Sequence, residues 1–146
     1  MKACVIALTI GVLVAVGLPT TTALRYTVHN TPVNFFTAWQ QCIAKGGALA
    51  AIETPCQNEF VYDAIKQSGG SGGWWTSGTD LGLEGSWIWM SKNVPLGNVN
   101  GYMNFAPGEP SNSGTTGEHC LAIEQSPQWN DMPCDKLLNY VCEYYI

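Results

Sequence analysis

Charge is scarce in this chain: 12% of its 146 residues are charged, with six Lys and Arg against eleven Asp and Glu. No run of basic residues exists, so nucleic acid and anionic membrane are excluded as partners on electrostatic grounds. Asn-x-Ser/Thr does not occur, so no N-glycosylation site is offered. Cys-x-x-Cys does not occur either, which argues against structural zinc. His-Glu-x-x-His, Gly-x-Ser-x-Gly and a phosphate-binding loop are missing as well. Histidine appears twice, at His29 and His119, and no spacing pairs either with a thiol. The chain therefore reads as a binding protein without catalytic residues. It holds no internal repeat, and its length suits one domain.

The longest apolar run, Ala3 to Leu18, has 16 residues, short of the roughly 20 that span a bilayer. Lys2 precedes it, Pro19 ends it, and Thr21-Thr22-Ala23 follows with small side chains. That is the layout of a secretory leader over residues 1–23. The mature domain is then 24–146, a secreted, extracellular protein without membrane insertion. Secretion changes how cysteine reads. Cys4 leaves with the leader, and Cys42, Cys56, Cys120, Cys134 and Cys142 remain for disulfides in an oxidising compartment. Five is odd, so one thiol lacks a partner within the mature chain.

Local signals sketch an α+β domain. Arg25 to His29 reads as an opening strand. Asn34 caps a helix with Phe35, Phe36, Trp39, Cys42 and Ile43 on a helical period, and Gly46-Gly47 ends it. Thr54-Pro55-Cys56-Gln57 starts a second helix, with a cap, a first-turn proline and a capping-box partner. Phe60, Val61, Ala64 and Ile65 are its expected buried face. Beyond Gly73 come short aromatic strands, Trp74-Trp75 and Trp87-Ile88-Trp89, whose large rings suit a small core. Residues 92–117 are rich in Gly, Pro, Ser and Asn. A loop of that length in a compact domain is usually functional. Cys120 to Ile123 and Asn139 to Tyr144 read as closing strands.

Several segments together resemble the C-type lectin domain. Glu109-Pro110-Ser111-Asn112 is similar to that family's Glu-Pro-Asn sugar motif, and Gly117-Glu118-His119-Cys120 to its Glu-Asp-Cys segment. Trp129-Asn130-Asp131 matches its Trp-Asn-Asp motif, and Tyr140-Val141-Cys142-Glu143 resembles its closing strand. Trp74-Trp75-Thr76-Ser77-Gly78 stands where the family has a buried Trp-Ile-Gly-Leu strand. The resemblance covers the mature chain and implies two helices, short antiparallel sheets and a long calcium- and sugar-binding loop region. It also implies the disulfides Cys42–Cys142 and Cys120–Cys134, and a cis Glu109-Pro110 bond. Cys56 is left over, either as a buried free thiol or as the link of a disulfide-bonded dimer. The size is similar to that of small secreted invertebrate lectins, with glycans, including those of pathogens in innate immunity, as the implied partners.

The chemistry agrees with that reading. Calcium takes six to eight oxygens, several of them carboxylate. Glu109, Glu118 and Asp131 offer carboxylates and Asn130 an amide oxygen, and the same mixture of acids and amides can accept from and donate to sugar hydroxyls. As ion ligands, Glu109 and Glu118 would stay ionised, unlike the protonated acid that glycoside hydrolysis requires. Ser111 departs from the family's third motif position, and the loop is one residue longer than the common form. The third ligand place then falls either to the Ser111 hydroxyl or to Asn112. Glu-Pro at the motif's start implies mannose-type sugars: mannose, fucose or N-acetylglucosamine. The alternative is a calcium-independent lectin-like domain that binds a protein or other surface, with sugar binding lost through Ser111. Asp80 and Glu84 stand where some relatives bind an auxiliary calcium, with Glu118 shared between the ions. His119 replaces an acid there, and neutral imidazole is a poor calcium ligand. A plain acidic turn is the other reading of that segment.

Overall fold

The computed structural model describes residues 23–146. The expected leader, apart from Ala23, lies outside the described residues. Among the described residues no helix is long and apolar enough to cross a membrane.

The elements run β1 (Leu24–Val33), α1 (Phe35–Ala44), β2 (Ala48–Leu49), α2 (Pro55–Ser68), β3 (Trp74–Thr79), β4 (Ile88–Trp89), β5 (Val94–Pro95), β6 (Cys120–Ile123), β7 (Trp129–Met132) and β8 (Leu138–Tyr145). The two helices begin where the sequence places them. Asn34 accepts from the Thr37 amide at 2.9 Å, and Thr54 Oγ1 accepts from the Gln57 amide at 3.2 Å. Gln57 reaches back to the Glu53 amide at 2.7 Å, one residue before the cap. A left-handed Gly69 then ends α2, a backbone state that glycine enters without steric cost.

The α+β class with two helices is as expected, and the named strands pair antiparallel at all but one contact. They join in one mixed sheet with a main path β1-β8-β3-β4-β5; β2 pairs with β8, and β6 branches from β3 and carries β7. The parallel contact is β3 with β8, Trp74 opposite Asn139 and Trp75 opposite Tyr140. All six residues of β3 are buried, because this strand is paired on both edges and covered on both faces. One apolar cluster holds Trp74, Trp87, Trp89 and Trp129 with Ile52, Val61, Ile65 and Leu121. The other packs Phe35, Ala38 and Cys42 of α1 against Trp75, Tyr140 and Cys142. Phe36, Ile43 and Phe60 point to solvent instead of joining these faces. Small Ala38 takes a place on the inner stripe of α1 that the larger side chains suggested for themselves.

Cys42–Cys142 ties α1 to β8 across 100 residues, and Cys120–Cys134 closes the base of the β6–β7 hairpin. Cys56 needs a correction. It is disulfide-bonded, and no described cysteine is a free thiol. The expected unpaired Cys56 is overturned, and with it the reason for a dimer linked through that residue.

Candidate functional site

The β6–β7 hairpin is the platform of the site. Its register sets Leu121 opposite Asp131 and Ala122 opposite Asn130. The Asn130 and Asp131 side chains are engaged by different partners. Asp131 is fully buried and turned toward the Ser/Asn-rich loop. Its carboxylate accepts from the Ser111 amide at 3.0 Å and from the Asn112 amide at 2.7 Å. Charge-assisted bonds of this kind make burial of the acid tolerable.

Glu118 binds the same loop from its far end. One of its oxygens accepts from the Ser111 hydroxyl at 3.0 Å and from the Ser113 amide at 2.9 Å. Asn112, held at a positive φ of 50°, uses its side-chain oxygen to accept from the Glu118 amide at 2.9 Å. Gly117 makes room for that contact. A Cβ there would lie 2.5 Å from the Asn112 side-chain oxygen and 2.6 Å from His119 Nε2. Its φ of +73° also disfavours any other residue.

Glu109 completes the group from the other side of a cis Glu109-Pro110 bond. Its Oε2 is buried and has no hydrogen-bond partner. The neighbouring Asp131 carboxylate, with burial second, pushes the Glu109 carboxyl above its ordinary range, while Ser111 pulls the other way. When both acids are ionised, neither has a proton to give the other, and Oε2 is left without a donor. A buried acceptor without a donor beside a second acid is the environment that a cation satisfies.

Four of the expected residues, Glu109, Ser111, Glu118 and Asp131, thus come together. Asn112 is spent on bracing the loop. Asn130 takes no part in the hydrogen bonds that seat the loop on Asp131; its amide donates to Glu124 at 3.2 Å. Glu124 was missed from the sequence. The signal was available in the hairpin register, since the residue two beyond Ala122 is a diagonal neighbour of Asn130 on the same face.

The second group gathers Asp80, Glu84 and His119, with one ligand atom from each within 4.8 Å of the others. His119 Nδ1 lies 3.0 Å from Asp80 Oδ1 and 3.3 Å from Glu84 Oε2. Asp80 also accepts from the Gly85 amide at 2.8 Å. The imidazole therefore sits between the two acids, while Glu118 Oε2 is engaged with Ser111 and Ser113.

Residues 31–144 match the family model described as the lectin C-type domain. The chain is 33% identical over 114 residues to human C-type lectin domain family 4 member K, covering 77% of this chain and 33% of that protein. It spans about one third of the length of that relative. A solved cow CD23 carbohydrate-recognition domain, determined in the presence of GlcNAc2Man3 oligosaccharide, superimposes with a TM-score of 0.72. That match has 29% identity and covers 89% of this chain and 97% of that one. A calcium-independent type II antifreeze protein shares the fold alone, with a TM-score of 0.69 at 20% identity, covering 89% of this chain and 96% of that one.

Proposed function

This chain belongs to the C-type lectin domain family, and from that premise we propose that it is a secreted, calcium-dependent carbohydrate-binding protein for mannose-type sugars. Residues 1–23 act as the leader and 24–146 as the lectin domain. The observation that carries the reading is the orphaned Glu109 Oε2 against Asp131, with Ser111 and Glu118 beside it. These are hard oxygen donors, the set that suits calcium. Glu109, Ser111, Glu118 and Asp131 would hold the ion, with Asn130, which here donates to Glu124, as a further oxygen ligand. When bound, calcium supplies a positive centre that two neighbouring sugar hydroxyls approach as further oxygen ligands. The carboxylates accept from those hydroxyls, and Asn130 Nδ2 donates to one of them. Asp131 keeps the loop seated while this happens, because two loop amides depend on it.

The test is binding to a glycan array in calcium and in chelator, joined to thermal unfolding under both conditions. An ion bound only by the folded state stabilises it by mass action. At a hundredfold excess over its Kd, calcium is expected to raise the Tm by on the order of ten degrees. An unchanged Tm rules out the calcium site.

One observation favours a second reading. Glu118 and Asp131 already find donors within the loop, which suits a calcium-independent domain that binds a protein or other surface. Array binding that survives chelator would select it.

Ser111 sets the strength of the sugar interaction. Its hydroxyl meets Glu118 where the family motif has a longer amide. Ser111→Asn adds a donor to sugar and a better oxygen for the ion. Mannose is expected to bind about three- to tenfold tighter, the worth of one added hydrogen bond. Competition on immobilised mannose, with galactose as control, reads this out. Unchanged affinity would move the ligand role to Asn112.

A further inference from the structure

The described part of the chain has five Lys and Arg residues, and they are not spent alike. Lys66 pairs with Asp63, Lys92 pairs with Glu53, and Lys136 leans on the Met132 sulfur. Arg25 and Lys45 form no salt bridge among the described residues. Both line one cavity of about 310 Å³, together with Thr27, His29, Tyr144 and Ile146. Among the described residues no acidic side chain lines it, although acids outnumber bases in this chain, and the negative group at its wall is the terminal carboxylate of Ile146. The volume is at the small end of ligand pockets, roughly 300–1,000 Å³.

The convergence follows from strand geometry. Arg25, Thr27 and His29 alternate along β1, so they share one face. Across the ladder, Arg25 is opposite Tyr144 and His29 opposite Tyr140. The His29 and Tyr140 rings stack at 4.7 Å, and the Thr27 hydroxyl holds His29 Nε2 at 2.9 Å. Lys45 arrives from the end of α1. The last carbonyls of that helix accept from the Lys45, Gly46 and Gly47 amides, which blunts their repulsion of an anion. Gly47 lets the Tyr144 ring lie against the backbone, since a Cβ there would stand 2.6 Å from the ring.

We infer that this cavity is a binding site for a sulfate or carboxylate group, independent of calcium and sharing no residue with the lectin site. Arg25 and Lys45 supply the charge, the Thr27 hydroxyl a neutral hydrogen bond, and the Tyr144 ring a flat apolar wall. Burial and then the charge of Lys45 hold the His29 imidazole below its ordinary range. An anion between the cations would reverse that push, so binding should raise the His29 titration midpoint and strengthen as pH falls through it. The groups facing His29 are Lys45, Arg25, Thr27, Tyr140 and Tyr144. Ile146, the last residue of the structure, adds a main-chain carboxylate to this wall, and one of its oxygens accepts from the Ala23 amide.

The experiment is NMR observation of the His29 ring in chelator at low ionic strength. Sodium sulfate, N-acetylglucosamine 6-sulfate and unmodified N-acetylglucosamine are titrated in turn. Both sulfates are expected to shift His29 and raise its midpoint, while the neutral sugar does nothing. Tighter binding of the sulfated sugar would assign an acidic glycan as the source of the anion, and equal binding a free anion. Arg25→Gln with Lys45→Gln should weaken both sulfates by about tenfold or more, with the folded spectrum and calcium-dependent mannose binding retained. No response of His29 to either sulfate, or an unweakened double variant, overturns the site. Because the anion titrations are run in chelator, failure of the calcium site leaves their result untouched.

Discussion

Alanine at both Asn130 and Asp131 is expected to lower calcium-dependent mannose binding by about a hundredfold or more. Two losses combine. The ion gives up a carboxylate and an amide oxygen, and the sugar gives up an amide donor. Asp131 also carries the loop: without it, the Ser111 and Asn112 amides lose the acceptor that seats residues 111–112 on β7. Each backbone donor left unsatisfied costs about 1–3 kcal/mol where water cannot replace the carboxylate. The double variant should therefore melt below the parent even in chelator, and calcium should no longer raise its Tm. Asp131→Asn separates the two effects. It keeps the size and one acceptor oxygen, so it should hold more of the loop than of the ion. Surface plasmon resonance on immobilised mannose, with calorimetry in parallel, measures both. If the double variant binds mannose as the parent does, the sugar is held elsewhere.

The pairing of elements was legible wherever one short signal decided it. Asn34 and Thr54 announce their helices through capping chemistry, which is local. The cysteine pairs 42–142 and 120–134 followed from the family resemblance, and the structure bonds both. The Trp residues at 74, 75, 87 and 89 were read as core and are buried, since rings of that size have few other places in a small domain. What escaped depends on long-range placement. Phe36, Ile43 and Phe60 fit helical spacing, but spacing alone cannot say how wide a stripe the sheet covers. The parallel β3–β8 contact joins segments more than 60 residues apart and leaves no mark in either one. Arg25 and Lys45 look like isolated surface charges until β1 and the end of α1 meet. The state of Cys56 depends on what stands beside it in space, which a count of cysteines does not give.

Trp129 links the core to the site, and Trp129→Ala is expected to be the most damaging single change to stability. Its side chain is fully buried, and ring contacts to Trp89, Tyr102 and Phe105 run from 5.4 to 5.7 Å. Truncation of such a residue costs about 3–5 kcal/mol through lost transfer energy and an unfilled cavity. The indole N–H also donates to Asn58 at 2.7 Å, and that buried carbonyl would be orphaned. Against a total stability of roughly 5–15 kcal/mol, the Tm should fall by about 10–20 °C. The damage should reach the ligand loop as well. The Trp129 backbone receives and returns hydrogen bonds with Asn104 and Ala106, and the Ala106 carbonyl accepts from the Glu109 amide. Trp129→Phe keeps a ring in the cluster while still orphaning Asn58, so it should lose less stability and retain calcium binding. Thermal unfolding of both variants, in chelator and in calcium, decides the matter. An alanine variant melting within two or three degrees of the parent would mean that this ring does not anchor the hairpin, and the link drawn from core to site would fall with it.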